Sequence, residues 1–352
     1  MLLVHYVRHL DHMSIAPQSR TQSTLVKAFP LAMWGILLFG VGVFIFVIIS
    51  LVNLPIRLIF PVQSTVFRDI VWLSGAPIVF GTLLILADFA LFYRARRRGH
   101  ELSRVDVDRS AVTVVLTAYN DEPSIAEAVR DFLSNPLTKR VVVVDNNSAD
   151  GTSGAALEAG ATVVTELRPG YGYCVHRALI EGAKYQDTAL VALCEGDMTF
   201  RSSDLEKLLA YIPHGDVVNG TRIVEQLREK VTQLTTFMFW GNFVGGKLLE
   251  FKHLGRGTVT DLGTTYKLCR SSFLRDHLSD YDPRVNLEFN AHFLDTTIKN
   301  GFKLVEAPVT FYARVGESKG GNVSNSRATR VGLRMLIGLL FSWKLIRTKD
   351  LL

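Results

Sequence analysis

The sequence predicts an α/β protein whose mostly parallel sheet follows two membrane-spanning helices. Three observations support this expectation. Two long apolar runs precede residue 94, short β-branched runs alternate with helical patterns after residue 110, and polar clusters end several predicted strands. The first observation predicts a membrane segment. The other two predict an open sheet with a ligand site along one edge.

The two apolar runs, residues 29–54 and 71–93, are long enough to cross a bilayer. A helix needs roughly 20 apolar residues to span the hydrocarbon core. The first run has no charged residue, and Asp88 is the single charge of the second. We therefore predict a transmembrane hairpin over residues 28–93, after a polar segment at 1–27. Asp88 is expected near the headgroups or paired with the arginines that follow it.

Basic residues directly after the second run set the predicted orientation. Arg94, Arg96, Arg97 and Arg98 begin a linker that we place at residues 94–110. Positive residues beside a span stay on the cytoplasmic side. The sequence thus predicts a multi-pass protein of the cell membrane with the rest of the chain in the cytosol. The net charge of +6 suits an anionic partner, and its clustering near the membrane ends favours lipid over nucleic acid.

A repeated strand–helix pattern predicts the domain that follows, over residues 111–325. Runs rich in β-branched residues occur at 112–119, 141–145, 161–166, 189–197 and 216–221, and a helical pattern occurs at 124–133. Such alternation is typical of βαβ units that build a parallel sheet. The runs are almost continuously hydrophobic, which predicts a sheet covered on both faces.

Acidic residues stand where the predicted strands end. Asp145 ends the second strand, and Glu195 and Asp197 end the fourth. The carboxyl ends of parallel strands meet at one edge, where ligands bind in open α/β sheets. Three acids at that edge would repel one another without a cation, and Mg²⁺ or Mn²⁺ accepts carboxylate and phosphate oxygens together. The arrangement predicts a site that chelates a nucleoside diphosphate.

The order of the polar segments resembles a known family. TAYNDEPSI, VVVVDNNSADGT, RPGYGYCVHRALIEGA, EGDMTF, NGTR, DLGTTYKLCR and EAPVTFYARVGESK follow one another over residues 112–319. This order resembles the family 2 inverting glycosyltransferases, and within them the polyprenyl-phosphate glycosyltransferases such as dolichyl-phosphate mannose synthase. The resemblance implies a GT-A-type nucleotide-sugar-binding domain and transfer of a sugar to a polyprenyl phosphate with inversion.

The resemblance also implies roles for the donor side of the site. Nucleotide-sugar binding falls to Thr117, Tyr119, Asp121, Asp145, Asn146, Gly170, Glu195 and Arg222. The metal, Mg²⁺ or Mn²⁺, would be bound by Glu195, Asp197 and Thr199. Five positions depart from the family pattern. Thr117 stands where Pro is usual, Asp121 where Glu is usual, and Thr199 where some relatives have a Gln. Asn146 stands where a second Asp is frequent, and Glu195 replaces the first Asp of a DxD motif.

On the acceptor side, the resemblance implies catalytic roles for Asp261 and Glu288 beside Asp197. Arg314, Ser318 and Lys319 belong to the segment that would hold the acceptor phosphate. A phosphate acceptor is already ionised at neutral pH and needs little help from a base. We therefore expect Asp261 and Glu288 to orient the acceptor. Two alternatives stay open: transfer to a glycan or another hydroxyl, and a non-catalytic scaffold that binds a nucleotide-sugar. The sequence also allows a homo-oligomer.

The last part of the chain, residues 326–352, predicts an amphipathic helix and a tail. Its apolar stretch at 331–345 is short and is interrupted by charges. Such a helix fits the membrane interface, and a buried core helix is the alternative. A second apolar stretch at 237–249 presents the same choice between the interface and the domain core.

Overall fold

A computed structural model describes residues 31–59, 64–97, 105–224, 227–229, 232, 234–253, 256–316 and 325–348. It begins with two long helices, α1 (Leu31–Ile59) and α2 (Ser64–Arg97). The segments Leu31–Pro55 and Val71–Leu91 have the length and hydropathy that a membrane span requires. Both are exposed over most of their length, as expected of helices that face lipid.

Glycines allow α1 and α2 to pack closely in antiparallel directions. A Cβ atom added at Gly35 would lie 2.6 Å from the carbonyl oxygen of Gly81, and one added at Gly81 would overlap the carbonyl oxygen of Gly35. Farther along, a Cβ atom at Gly42 would lie 2.6 Å from Ile78. Small residues at such crossings let helix backbones approach in apolar surroundings. The two helices therefore form a hairpin.

Asp88 of α2 contacts the start of the other helix in this pair. Its side chain is buried, and its Oδ2 accepts a hydrogen bond of 2.7 Å from the backbone N–H of Ala32. The first N–H groups of a helix have no partner within the helix, and the positive end of the helix dipole favours an anion there. Asp88 thus caps the start of α1.

The second part of the chain forms a seven-stranded sheet with the order β3-β2-β1-β4-β6-β5-β7. Every neighbouring pair is parallel except those that β6 makes with β4 and β5. The strands are β1 (Val112–Ala118), β2 (Thr138–Asp145), β3 (Thr162–Thr165), β4 (Leu190–Glu195), β5 (Val217–Thr221), β6 (Lys267–Arg270) and β7 (Leu304–Pro308).

Helices cover both faces of this sheet. They are α3 (Glu122–Ser134), α4 (Thr152–Glu158), α5 (Tyr171–Ala183), α6 (Leu205–Tyr211), α7 (Thr236–Lys252), α8 (Ser271–His277), α9 (Phe289–Lys299) and α10 (Asn325–Leu340). Short 3-10 segments at Pro283–Glu288 and Trp343–Ile346 precede α9 and follow α10.

Alternate residues of β1 belong to two hydrophobic cores. Val114 and Leu116 pack with residues of α3 and α6, while Val115 packs with residues of α5 and α9. Every residue of β1 is buried, as expected for a strand covered on both faces. The predicted α/β class, with a mostly parallel sheet after two apolar helices, is confirmed.

Two strands were not predicted. β6 has four residues and begins with a lysine, so it lacks the β-branched pattern that marked the others. β7 ends in Pro308 at the edge of the sheet, a place where the missing N–H of proline is tolerated. The insertion of β6 separates β4 from β5, so the fifth predicted strand lies farther from the fourth than chain order suggests.

The predicted C-terminal helix is present as α10, which begins before residue 331 and ends at residue 340. It packs against α7, α9 and the segment Pro283–Glu288. Leu339 is buried in one of the two cores, whereas Leu333, Ile337 and Phe341 are exposed. The helix thus combines a core-facing side with an exposed apolar side.

Candidate active site

The carboxyl ends of β1, β2 and β4 lie side by side at one edge of the sheet. Their register pairs Ala118 with Asp145 and Thr117 with Glu195. The backbone N–H of Gly196 also donates to the carbonyl oxygen of Thr117 at 3.0 Å. The loops that follow these strands are therefore neighbours, as the sequence predicted.

Asp197 is held in a tight turn after β4. It is 1% exposed, and its Oδ1 accepts hydrogen bonds from the backbone N and Oγ1 of Thr199, at 3.0 and 2.5 Å. Met198 between them has a φ of 65°, in the left-handed region that costs free energy for a side chain other than glycine. Thr199, a predicted metal ligand, thus supports Asp197 in this structure.

Arg314 places its guanidinium group between two carboxylates. Its Nη1 lies 3.0 Å from Oδ2 of Asp197, and its Nη2 lies 3.1 Å from Oδ1 of Asp121. The chain is fixed there because the backbone N–H of Val315 donates to the carbonyl oxygen of Asp197 at 3.1 Å. The predicted phosphate-binding arginine therefore forms ion pairs with two acids of the cluster.

Glu195 is the third acid of this cluster. Burial, and then the nearby charge of Asp197, raises the pKa of Glu195 to about 7. Its Oε1 accepts a hydrogen bond of 2.8 Å from Oγ1 of Thr265. A cation beside this carboxyl group would oppose the shift and favour the charged form.

Glu195 and Asp197 fit a divalent cation whose remaining ligands come from a substrate. Oδ2 of Asp197 is buried and accepts no hydrogen bond from the described residues, although the Arg314 guanidinium faces it as an ion pair. Within those residues, no group of three or more His, Cys, Asp or Glu side chains is placed to bind a metal. Two carboxylates completed by diphosphate oxygens are a usual Mg²⁺ arrangement, so Glu195 and Asp197 fit this role.

A buried polar network supports Glu195 from behind. Oγ1 of Thr265 lies 2.5 Å from the hydroxyl of Tyr171, and that hydroxyl accepts a hydrogen bond of 2.8 Å from Nδ2 of Asn290. Nζ of Lys267 donates to Oδ1 of Asn290 at 3.1 Å, and burial lowers the pKa of Lys267 to about 7. The network therefore fixes the side-chain orientation of Glu195.

Asn146 organises the loop before α5. Its Nδ2 donates to the carbonyl oxygens of Glu166 and Arg168 at 3.0 and 2.7 Å, and its Oδ1 accepts from the backbone N–H of Gly170 at 3.0 Å. An aspartate has no N–H to donate and could not make the first two bonds. The asparagine that departs from the family pattern therefore stabilises the loop before α5.

The other predicted donor-side residues differ in their access to the cavity. Thr117 and Tyr119 line the cavity, as do Asp121, Asn146 and Gly170. Asp145 is buried outside the lining. Its Oδ1 accepts from Ser148, and its Oδ2 accepts from Oγ of Ser153 at 2.5 Å. In this structure both carboxylate oxygens of Asp145 therefore stabilise the loop after β2.

Arg222 and Asp261 form a buried pair. Nε and Nη2 of Arg222 donate to Oδ2 and Oδ1 of Asp261 at 2.7 and 2.8 Å, and the backbone N–H of Arg222 adds a bond of 3.0 Å. Burial opposes the charge of Asp261, but the guanidinium group beside it lowers the pKa of Asp261. Arg222 lines the cavity while Asp261 is 0% exposed, so Asp261 acts here as the partner that orients Arg222.

Glu288, the other predicted acceptor-side acid, holds α10. It is buried, and its Oε1 accepts a hydrogen bond of 2.6 Å from Nε of Arg334. Burial raises the pKa of Glu288 although Arg334 opposes the shift. Nη2 of Arg334 lies 2.5 Å from the carbonyl oxygen of Ile346. The pair ties α10 to the segment before α9, and Glu288 is not among the residues that line the cavity.

Replacement of Glu288 by Gln tests this structural role. We expect Glu288→Gln to keep the transfer rate within about threefold and to lower the free energy of unfolding by about 1–3 kcal/mol, because a charged hydrogen bond to Arg334 is weakened. Activity assays and denaturant unfolding would measure the two effects. Arg334→Gln should give a similar loss of stability, and the double variant little more. A hundredfold loss of rate in Glu288→Gln alone would restore the catalytic assignment.

The site contains a cavity of about 670 Å³ that runs from the edge of the sheet to a cleft between α7 and α10. Its volume is in the range of small-molecule sites. The polar end is lined by Thr117, Tyr119, Asp121, Asn146, Gly170, Glu195, Asp197, Thr199, Arg222, Asn290 and Arg314. The apolar end is lined by Phe237, Met238, Val244, Val331, Leu333, Met335, Leu336 and Leu339.

Two predicted residues lie outside the described part of the chain, and three residues of the site were not predicted. Ser318 and Lys319 lie outside the described residues. Tyr171, Thr265 and Asn290 line or support the site without having been predicted. Tyr171 and Thr265 stand in two segments that carried the family resemblance, GYGYC and DLGTTYK. The resemblance therefore pointed to these segments, but it did not assign a role to either side chain.

Residues 113–278 match the model of the family described as "Glycosyl transferase family 2". An uncharacterized glycosyltransferase of Mycobacterium tuberculosis is 41% identical over 113 residues, which are 32% of this chain and 49% of that protein. A dolichyl-phosphate hexose transferase of Haloferax volcanii is 29% identical over 209 residues, 59% and 86% of the two chains. Protein RfbJ of Shigella flexneri is 31% identical over 113 residues, 32% and 84% of the two chains. The chain thus spans about half the length of the mycobacterial relative.

Among solved structures, a similar one is glucosyl-3-phosphoglycerate synthase from Mycobacterium tuberculosis in complex with Mn²⁺, uridine diphosphate and phosphoglyceric acid. The TM-score is 0.48 with 17% sequence identity, and the match covers 66% of this chain and 79% of the other.

Proposed function

Since the chain belongs to glycosyl transferase family 2, we propose that it transfers a sugar from a nucleoside-diphosphate sugar to a lipid phosphate at a membrane. The observation that carries the proposal is the cavity with two unlike ends. Acids and arginines line one end, and apolar side chains of α7 and α10 line the other. A charged donor and an amphiphilic acceptor would fit these two ends.

The donor end offers charges where a diphosphate would gain charge on leaving. A divalent cation bound there, Mg²⁺ or Mn²⁺, would neutralise the departing diphosphate. Glu195 and Asp197 would hold that cation, and Arg222 presents a fixed guanidinium group to the same space. Hydrogen-bond donors and charged groups that are already in position stabilise a transition state without reorganisation of the site. Tyr119, 48% exposed beside them, gives an aromatic surface for the nucleoside.

The distribution of acids in the cavity supports an ionised acceptor. Among the described residues that line it, the acidic ones are Asp121, Glu195 and Asp197, all in the donor cluster. Asp261 and Glu288 lie outside the lining, and each is paired with an arginine. A sugar hydroxyl would need a base to take its proton, whereas a phosphate is ionised at neutral pH. The acceptor would therefore be a phosphate rather than a glycan hydroxyl.

The apolar end supports a lipid tail on that phosphate. Phe237, Trp240 and Leu333 are more than half exposed on α7 and α10. The first helix of the hairpin lies beside them, since the rings of Trp34 and Phe341 make an edge contact with centroids 5.8 Å apart. The relative named dolichyl-phosphate hexose transferase is consistent with this acceptor class. In this proposal the hairpin spans the membrane, the domain lies in the cytosol, and α7 and α10 face the interface.

Incubation of the purified protein in lipid vesicles with radiolabelled sugars tests the proposal. UDP- and GDP-linked sugars would be offered with polyprenyl phosphate or, as the matched control, the uncharged polyprenol, with and without Mn²⁺. We expect label in the lipid extract only with the phosphate acceptor and only with the metal. Equal labelling of polyprenol would support a hydroxyl acceptor. Binding of nucleotide-sugar without any transfer would support the non-catalytic scaffold.

A further inference from the structure

The 3-10 segment Pro283–Glu288 contains a strained residue that faces the cavity. Asn286 has φ 61° and ψ −120°, in the region that a side chain other than glycine rarely adopts. Such a conformation costs on the order of 1–3 kcal/mol and persists only where the surroundings enforce it. Strained residues of this kind are common at binding sites. The conformation of Asn286 therefore points to a role in ligand binding.

The start of α5 enforces this conformation. A Cβ atom added at Gly172 would overlap the carbonyl oxygen of Pro283 and would lie 2.9 Å from the backbone N of Asn286. A Cβ atom added at Gly170 would lie 3.0 Å from Oδ1 of Asn286. Both glycines thus allow the segment to pack directly on the helix, and that packing fixes where the amide of Asn286 points.

The amide oxygen that is placed in this way has no protein partner. Oδ1 of Asn286 is buried, and none of the residues in the described ranges donates a hydrogen bond to it. Asn286 nevertheless lines the cavity, next to Gly170 and Tyr171. A buried acceptor without a donor costs about 1–3 kcal/mol. A ligand that supplies a donor to this oxygen would remove the cost of leaving it unpaired.

We propose that Asn286 accepts a hydrogen bond from a hydroxyl of the bound nucleotide-sugar. The inference rests on the proposed function, because it assigns a contact within that donor site. Sites built to bind a hydroxyl reject ligands that lack it, since the buried partner is then left unpaired. The hydroxyl belongs to the transferred sugar or to the ribose, and binding measurements separate the two.

Replacement of Asn286 by Gly tests the proposal because the relief of strain should raise stability while the loss of the amide should weaken binding. Glycine adopts positive φ freely, so we expect Asn286→Gly to raise the melting temperature by about 2–4 °C. The same variant loses the amide oxygen and should bind the donor about tenfold more weakly. A residue with a purely structural role would not give higher stability together with weaker binding.

Asn147→Gly is the matched control. Asn147 also has positive φ, at 58°, but its side chain is exposed and it is not among the residues that line the cavity. Its replacement should raise the melting temperature and leave binding unchanged. Both variants and the wild type would be titrated by calorimetry with UDP, UDP-glucose, GDP and GDP-mannose in the presence of Mn²⁺.

The four ligands separate the outcomes. Weaker binding of the nucleotide-sugar alone assigns the hydroxyl to the sugar, and equal weakening of nucleotide and nucleotide-sugar assigns it to the ribose. Unchanged binding by Asn286→Gly overturns this inference and leaves the proposed function standing. A wild-type protein that binds none of the four overturns the proposed function, and the role of Asn286 with it.

Discussion

Replacement of Asp197 by Asn is expected to lower the rate of sugar transfer by at least about a hundredfold. The variant keeps the size of the side chain and the oxygen that Thr199 can bind, but it loses the charge that would hold the cation at the departing diphosphate. Losing one preplaced electrostatic contact in a site sheltered from water commonly costs 10²–10³ in rate. Asp197 is 1% exposed, so the lost charge lies in a site that is sheltered from water.

Asp187→Asn provides the control for this experiment. Asp187 pairs with Lys139 and Arg140 on the surface, at 3.0 and 2.5 Å. Surface ion pairs contribute little to stability, and Asp187 is not among the lining residues of the cavity. Initial rates with the donor found in the transfer assay should be unchanged in this variant. If Asp197→Asn transferred sugar as fast as the wild type, the catalytic hypothesis would fail.

The second large effect concerns stability. Replacement of Asp261 by Ala should lower the free energy of unfolding by about 3–5 kcal/mol, because it leaves the Arg222 guanidinium buried without its counterion. Arg222 donates two hydrogen bonds from its guanidinium group and one from its backbone N–H to the carboxylate of Asp261. The described residues provide Arg222 with no other carboxylate within ion-pair distance. Denaturant titration followed by tryptophan fluorescence, in detergent or in lipid discs, would measure the change.

A double replacement distinguishes an unpaired charge from a lost contact. Arg222→Met combined with Asp261→Leu removes both charges and fills the space with apolar atoms, so most of the lost stability should return. The double variant should still transfer slowly, because Arg222 lines the cavity. A different pattern would contradict the structural assignment: Asp261→Asn with normal stability and a thousandfold lower rate would mark Asp261 as a catalytic acid.

The fold and the donor end of the site were largely predictable because they depend on local patterns. Continuous apolar strands such as β1 reveal themselves in a short window, and the residue that ends a parallel strand must lie at the ligand-binding edge. The adjacency of Asp121, Glu195 and Asp197 follows from these two facts. The hairpin followed equally from length and hydropathy.

The rest depends on contacts between residues far apart in the chain. Arg222 and Asp261 are separated by 39 positions, and Glu288 and Arg334 by 46, so a sequence shows four charged residues and not two buried pairs. Burial also decided their roles, since the same carboxylate is a candidate base when it faces a cavity and a structural anchor when an arginine covers it. The strain at Asn286 arises from packing against Gly172, which no local pattern records.

The guanidinium group between Asp121 and Asp197 reduces the electrostatic repulsion within the acidic cluster. Carboxylates gathered at one point repel, and a fold that depends on a metal to separate them loosens when a chelator removes it. Here the chain supplies its own counterion, held in place by the backbone contact between Val315 and Asp197. In the proposed function, a cation held by Asp197 would compete with the Arg314 guanidinium group for the same carboxylate oxygen.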